Sequence, residues 1–180
     1  TAFGKMSYFR SLKNSILITV ISVILLLTFC SMAGYAIARL RGKLGSFLQI
    51  FFLAGMIVSA QMSIIPMYKV VNQVGIGNTI AAPIALYVTA ALPFSIFLYT
   101  NFIKSGVPYS LEEAARIDGA SIPFTFVRIV IPLTKPALSS LVITQGVPLW
   151  NDFFFGMLFL STPTKKTLPL MMLNSIGDME

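Results

Sequence analysis

Long uncharged apolar runs, separated by short polar and basic segments, set the pattern of the chain. The first covers 16–38 without a single charge, longer than the ~20 apolar residues a membrane-crossing helix needs. Its second half carries Ser31, Gly34 and Ala38, and the four-residue spacing of Gly34 and Ala38 lets another helix approach closely in lipid. Arg39, Arg41 and Lys43 end it. A second run lies between Lys43 and Lys69, holds Gly55 and Gln61, and reaches Pro66. An amphipathic connection over 68–74 leads into Gly75-Ile76-Gly77-Asn78, a turn signal. The third run, about 79–103, contains Pro83 and Pro93, which spanning helices tolerate as kinks. The fourth starts near Pro136 and ends near Leu160. With Gln145, Gly146, Pro148, Asn151 and Asp152 it is the most polar of the four. The basic loop 161–167 follows, and 168–173 begins another apolar element. The pattern predicts an all-α polytopic membrane bundle forming one domain over 1–180, with long helices near 14–40, 45–67, 79–104 and 136–160.

Composition agrees with that class. Of the 180 residues 56% are hydrophobic and 11% charged, against roughly a quarter charged in soluble domains. The net charge of +7 comes from basic residues flanking the apolar runs, which suits anionic headgroups rather than nucleic acid. Cys30 is the only cysteine, so no intrachain disulfide can form, and its apolar setting reads as a small buried hydrophobe. The chain has no histidine, and no cluster suggests a metal, a cofactor or a nucleophile–base pair. Four spans place both ends on one side. Arg39, Arg41, Lys43, Lys104, Arg116, Arg128 and Lys135 would share one membrane face, and Lys5, Arg10, Lys13, Lys69, Lys165 and Lys166 the other. Seven against six leaves the orientation undecided by charge.

The polar segment 104–135 carries the most specific pattern. Ser110 reads as a helix N-cap, with Glu113 three residues later completing a capping box. Gly119 stands where a left-handed C-terminal cap would fall. A helix of about two turns over 110–118 follows, too short to persist unsupported. Ala114, Ala115 and Gly119 offer little bulk, which suits a helix lying in a groove of another protein, and Glu112 and Glu113 add negative charge for a basic partner.

Glu113-Ala114-Ala115, Gly119 and Ile129-Val130-Ile131-Pro132 resemble the EAA loop of binding-protein-dependent ABC importer permeases, with Ile131 where that pattern prefers leucine. Asp118-Gly119-Ala120, Ala33-Gly34-Tyr35-Ala36-Ile37-Ala38-Arg39-Leu40, Ala91-Leu92-Pro93-Phe94-Ser95-Ile96-Phe97, Trp150-Asn151-Asp152-Phe153 and Thr167-Leu168-Pro169-Leu170 are similar to the carbohydrate branch, of maltose and multiple-sugar type. The resemblance implies a permease subunit of an ATP-driven sugar importer in the cell membrane. Its partners would be two ATP-binding subunits, a sister permease, an extracellular solute-binding protein, membrane lipid and the sugar. It implies a cytoplasmic EAA loop, which settles the orientation, and six spans in the family, of which this chain would carry the second to fifth as a fragment. Glu113, Ala114, Ala115, Gly119 and Pro132 would make the coupling contact, and Glu113 would meet an ATPase arginine. The chain carries no Walker-type phosphate loop, so the resemblance implies a transport subunit and not an enzyme. Gln61, Tyr87, Gln145, Asn151 and Asp152 are candidates for the solute path. Amides both donate and accept, as sugar hydroxyls require, and a carboxylate at membrane depth is costly enough to suggest function. Asp152 reads equally well as hydrogen-bonded to a neighbouring helix, and Tyr87 as part of a packed face. Two alternatives stay open, an ABC permease for an amino acid, peptide or anion, and an ion-coupled secondary transporter.

Overall fold

The computed structural model of the chain describes residues 2–40, 42–57, 62–152, 154–160, 162 and 167–177, with side chains described between 8 and 172. Gln61, Arg41, Lys165 and Lys166 lie outside the described residues. Among the described residues the structure is all helix and turn. The elements are α1 (Ala2–Arg39), α2 (Lys43–Gly55), α3 (Ile64–Gln73), α4 (Ala81–Gly106), α5 (Tyr109–Ile117), α6 (Ile122–Thr125), a π-helical turn (Phe126–Val130), α7 (Ile131–Leu133), α8 (Lys135–Asn151), α9 (Phe154–Phe159) and α10 (Leu168–Gly177).

Tyr8–Arg39 and Ala81–Gly106 are each long and apolar enough to cross a membrane, and Ile122–Leu133 with Lys135–Asn151, bent by 70°, make a third such pair. Burial along α1 is inverted relative to a helix in water. Ser15, Ser22 and Ser31 are buried, while Val20, Ile24, Phe29 and Met32 are exposed. Small polar groups thus face protein and large apolar groups face outward, the arrangement expected where the surroundings are lipid.

Two of the expected helices are not continuous. Over 45–67 the structure has α2 ending at Gly55 and α3 starting at Ile64. Over 136–160, α8 ends at Asn151 and α9 begins at Phe154. Pro148 inside α8 removes a backbone donor, and the Asp152 carboxylate accepts the Phe155 N–H at 3.0 Å, starting a fresh helix instead of prolonging the old one. Pro132 similarly cannot donate to the carbonyl four residues back, and the turn before it widens to π geometry. Thr134 closes the break, its hydroxyl donating to the Val130 carbonyl at 2.9 Å and pairing with the Tyr99 hydroxyl at 2.7 Å.

The chain divides into two compact units. One contains Thr1–Leu25, Ser59–Ala90 and Thr144–Glu180; the other contains Leu26–Val58 and Ala91–Ile143. The first has a core around Ile18, Leu86, Tyr87, Phe155 and Phe159. Within it α3 ends in a Schellman turn, with Gly75 at φ +78° and the Ile76 N–H on the Val71 carbonyl at 3.2 Å. The second has a core around Tyr35, Ile96, Tyr99, Ile103 and Leu141. There α1 and α4 approach closely at Gly34, where an added Cβ would lie 2.9 Å from Tyr99 Cδ1 and 3.3 Å from the Thr100 backbone nitrogen.

Candidate functional site

The N-cap of α5 falls two residues earlier than the sequence pattern suggests. Pro108 occupies the N-cap with ψ 133° and no side-chain cap bond, so Tyr109 is the first helical residue. Its fixed φ and extended ψ take the place of the expected Ser110–Glu113 capping box, and Ser110 lies inside the first turn. The carboxylate that serves the fold is Glu112. Its side chain is fully buried and pairs with Arg39 at 2.6 Å, and it accepts the Tyr35 hydroxyl at 2.8 Å.

The C-terminal end of α5 follows the glycine signal. Gly119 has φ +84°. Its N–H reaches the Arg116 carbonyl at 3.0 Å, and the Ala120 N–H reaches the Ala115 carbonyl at 2.9 Å, the paired bonds of a Schellman cap. An added Cβ at Gly119 meets nothing within 4 Å, so glycine is required here by backbone conformation and not by crowding. Arg116 in the last turn complements the helix dipole.

The expected site residues divide by face. Glu113, Ala114, Gly119 and Pro132 are exposed, while Ala115 is buried, so one alanine of the pair faces outward and the other packs inward. Ala115, Asp118, Gly119, Ala120, Ser121, Phe124 and Ile129 line an open groove of about 550 Å³. On α5, α6 and the π-helical turn the apolar side chains of Leu111, Ile117, Ile122, Phe124 and Val127 are exposed, Ile117 by 82%.

In the other unit, two of the polar candidates meet each other. The Tyr87 hydroxyl donates to Asp152 Oδ2 at 2.5 Å, and the buried Tyr87 ring packs edge-on against Phe155 at 5.4 Å. Asp152 thereby holds a neighbouring helix and caps α9 together. Asn151 is exposed and its amide donates to the Val147 carbonyl at 3.0 Å, while Gln145 is half-buried. Gln61 lies outside the described residues. Sequence reasoning missed Arg39 and Tyr35, and treated Glu112 only as surface charge. The available signal was the basic end of the first apolar run, since an arginine drawn into a core requires an acid, and few acids are at hand.

Residues 30–178 match the family model described as binding-protein-dependent transport system inner membrane component. The chain is 37% identical over 177 residues to the melibiose/raffinose/stachyose import permease protein MelC of Bacillus subtilis, covering 98% of this chain and 64% of that one. It is 37% identical over 168 residues to the multiple sugar-binding transport system permease protein MsmG of Streptococcus mutans, covering 92% and 60%. Among solved structures it is similar to a bacterial ABC transporter involved in the import of the acidic polysaccharide alginate. The TM-score there is 0.86 at 29% identity, over 97% of this chain and 60% of that one. The chain thus spans about 60% of the length of these relatives.

Proposed function

The chain belongs to the binding-protein-dependent transport system inner membrane components, and from that premise we propose that it serves as a permease subunit of an ATP-driven carbohydrate importer, with α5 as the helix that docks on an ATPase subunit. Melibiose, raffinose, stachyose and alginate, named for the relatives, are all polyhydroxylic, which supports a sugar as solute. The single observation that carries the docking role is the construction of α5. It is nine residues long, anchored by the buried Glu112, closed by the Gly119 cap, and exposes Glu113 and Ala114.

In this reading two ATPases that close on ATP draw the coupling helices of two permease subunits together, and the solute path changes its open side. The work comes from contacts that differ between the two states. Glu113 supplies a charge-assisted bond to a basic group of the ATPase. Gln145 and Asn151 present amides that exchange hydrogen bonds with sugar hydroxyls. A solute-binding protein delivers the sugar at the opposite face, and a sister permease completes the path.

The test uses the full permease with its ATPase and binding protein in proteoliposomes. Glu113→Ala is expected to lower ATPase retention about tenfold or more, as for loss of a bond to a charged group, while the amount of permease in the membrane stays constant. Full retention together with full binding-protein-stimulated hydrolysis would remove α5 from the coupling contact.

A further inference from the structure

The docking and solute-path roles proposed above do not use Tyr35 or Arg39, yet both side chains end on Glu112 of α5. We propose that Glu112 is a positioning residue: gripped by Arg39 and Tyr35, it fixes α5 to the end of α1 so that the two move as one body when α5 is displaced. The inference rests on the docking role given to α5 above.

The geometry leaves the Glu112 carboxylate fully engaged. Oε1 accepts Arg39 Nε at 2.7 Å and lies 2.6 Å from Nη2, while Oε2 accepts the Tyr35 hydroxyl at 2.8 Å. Arg39 also donates through Nη2 to the Val107 carbonyl at 2.9 Å, just past the end of α4. One guanidinium thus joins the ends of α1 and α4 to the middle of α5. The Tyr35 ring lies 5.0 Å from the Phe126 ring, so the grip extends past α6 to the π-helical turn. Tyr109 adds its ring face to both Arg39 and Arg116, at 5.8 and 6.0 Å.

Stability alone does not call for this arrangement. Taking two charges out of water costs about as much as their attraction returns, and apolar side chains of the same volume would hold a core as well. What the planar guanidinium fork provides, with Nε and Nη2 both on Oε1 and the Tyr35 hydroxyl on Oε2, is a directional hold on both carboxylate oxygens. Apolar contacts allow sliding; the fork does not. A nine-residue helix with no independent stability takes its position from what grips it, and here the grip is directional.

The experiment places spin labels at Leu40→Cys and Ser110→Cys, both exposed positions outside the groove, in the full permease–ATPase complex with Cys30 replaced by alanine. Distances are measured in the nucleotide-free and vanadate-trapped states. One narrow distance, the same in both states, is expected. Glu112→Gln and, as a second variant, Arg39→Lys should raise the population outside that distance about fivefold or more, the scale of an energetic coupling between two sites. The exchanged pair Arg39→Glu/Glu112→Arg should narrow it again. A parent distance that changes between the two states overturns the proposal, and so does a Glu112→Gln distribution as narrow as the parent's. Should Glu112→Gln fail to reach the membrane, the two-state comparison in the parent still decides. Failure of the docking role itself would appear separately, as ATPase retention indifferent to Glu113→Ala.

Discussion

Replacing Gly119 isolates the cap of α5 from everything else the helix does. With φ at +84° and no atom within 4 Å of an added Cβ, a side chain here suffers from its own backbone alone. The left-handed region costs an L-residue about 1–2 kcal/mol, and a β-branched one falls at the upper end. That is about five- to thirty-fold in the population of the capped helix end, at a tenfold change per ~1.4 kcal/mol. The chain escapes the strain by giving up the Ala120-to-Ala115 and Gly119-to-Arg116 bonds, which frays the last turn and displaces Ile117 and Asp118 at the edge of the groove. Gly119→Val should therefore raise the Kd for the ATPase subunit about five- to thirty-fold, Gly119→Ala less, and Gly119→Asn least, because asparagine tolerates this conformation. The assay titrates purified ATPase onto the full permease in nanodiscs and follows stimulated hydrolysis in parallel. Equal affinities for the valine and asparagine variants would refute the conformational reasoning. Loss of the valine variant from the membrane would mean that the cap serves the fold and not the contact.

Three further outcomes are expected. Cysteines at Gly42 and Gly119 of the full permease should resist an impermeant thiol reagent in intact cells while one at Gly75 labels; labelling at Gly119 from outside would reverse the orientation. Gln145→Leu and Asn151→Leu should each lower uptake of labelled raffinose with the complex still assembled, and unchanged uptake in both would leave these amides as packing groups. Tyr87→Phe removes one bond to Asp152, whereas Asp152→Ala removes that bond and the cap on the Phe155 N–H. The Tm in detergent should accordingly fall further for Asp152→Ala, with about 0.6–1.7 kcal/mol expected for each bond between membrane helices; a larger drop for Tyr87→Phe would contradict the assignment.

How much could be read beforehand followed from the physics of each element. α4 and the membrane-crossing part of α1 were legible because a charge-free run of spanning length needs its backbone bonds satisfied within itself, whereas α1 begins at Ala2, twelve residues before the expected start near 14. The end of α5 was legible because Gly119 follows a short helical pattern, and the turn at Gly75 because of its glycines. Gly75 and Gly119 both adopt a positive φ available to few other residues. That 64–73 forms a helix of its own, α3, was not legible, since 68–74 reads as a connection. The break at Asp152 was not read, although Pro148 and Asp152 both stood in the run. A proline can kink a helix or help end it, and which occurs depends on whether a nearby acceptor caps the next turn. The start of α5 was misread for a similar reason. Ser110 and Glu113 satisfy a capping pattern, but Pro108 had already set the entry two residues earlier.

The pairing of Glu112 with Arg39 lies at a different depth. Two adjacent glutamates on a short helix point in different directions, and which one faces inward depends on an arginine more than seventy residues away. Pattern reasoning would turn Leu111 and Ile117 toward the core and both acids toward water. The structure does the reverse, burying Glu112 completely while Leu111 and Ile117 stay exposed. An inversion of this kind is costly for a helix whose outer face meets only water. It becomes reasonable when that face is to be covered by another protein, so that the apolar groups serve the contact and a charged grip behind them sets where the contact is made. Burying one acid and exposing the next lets a single short helix be fixed to its own chain through Glu112 and remain available to a partner through Glu113.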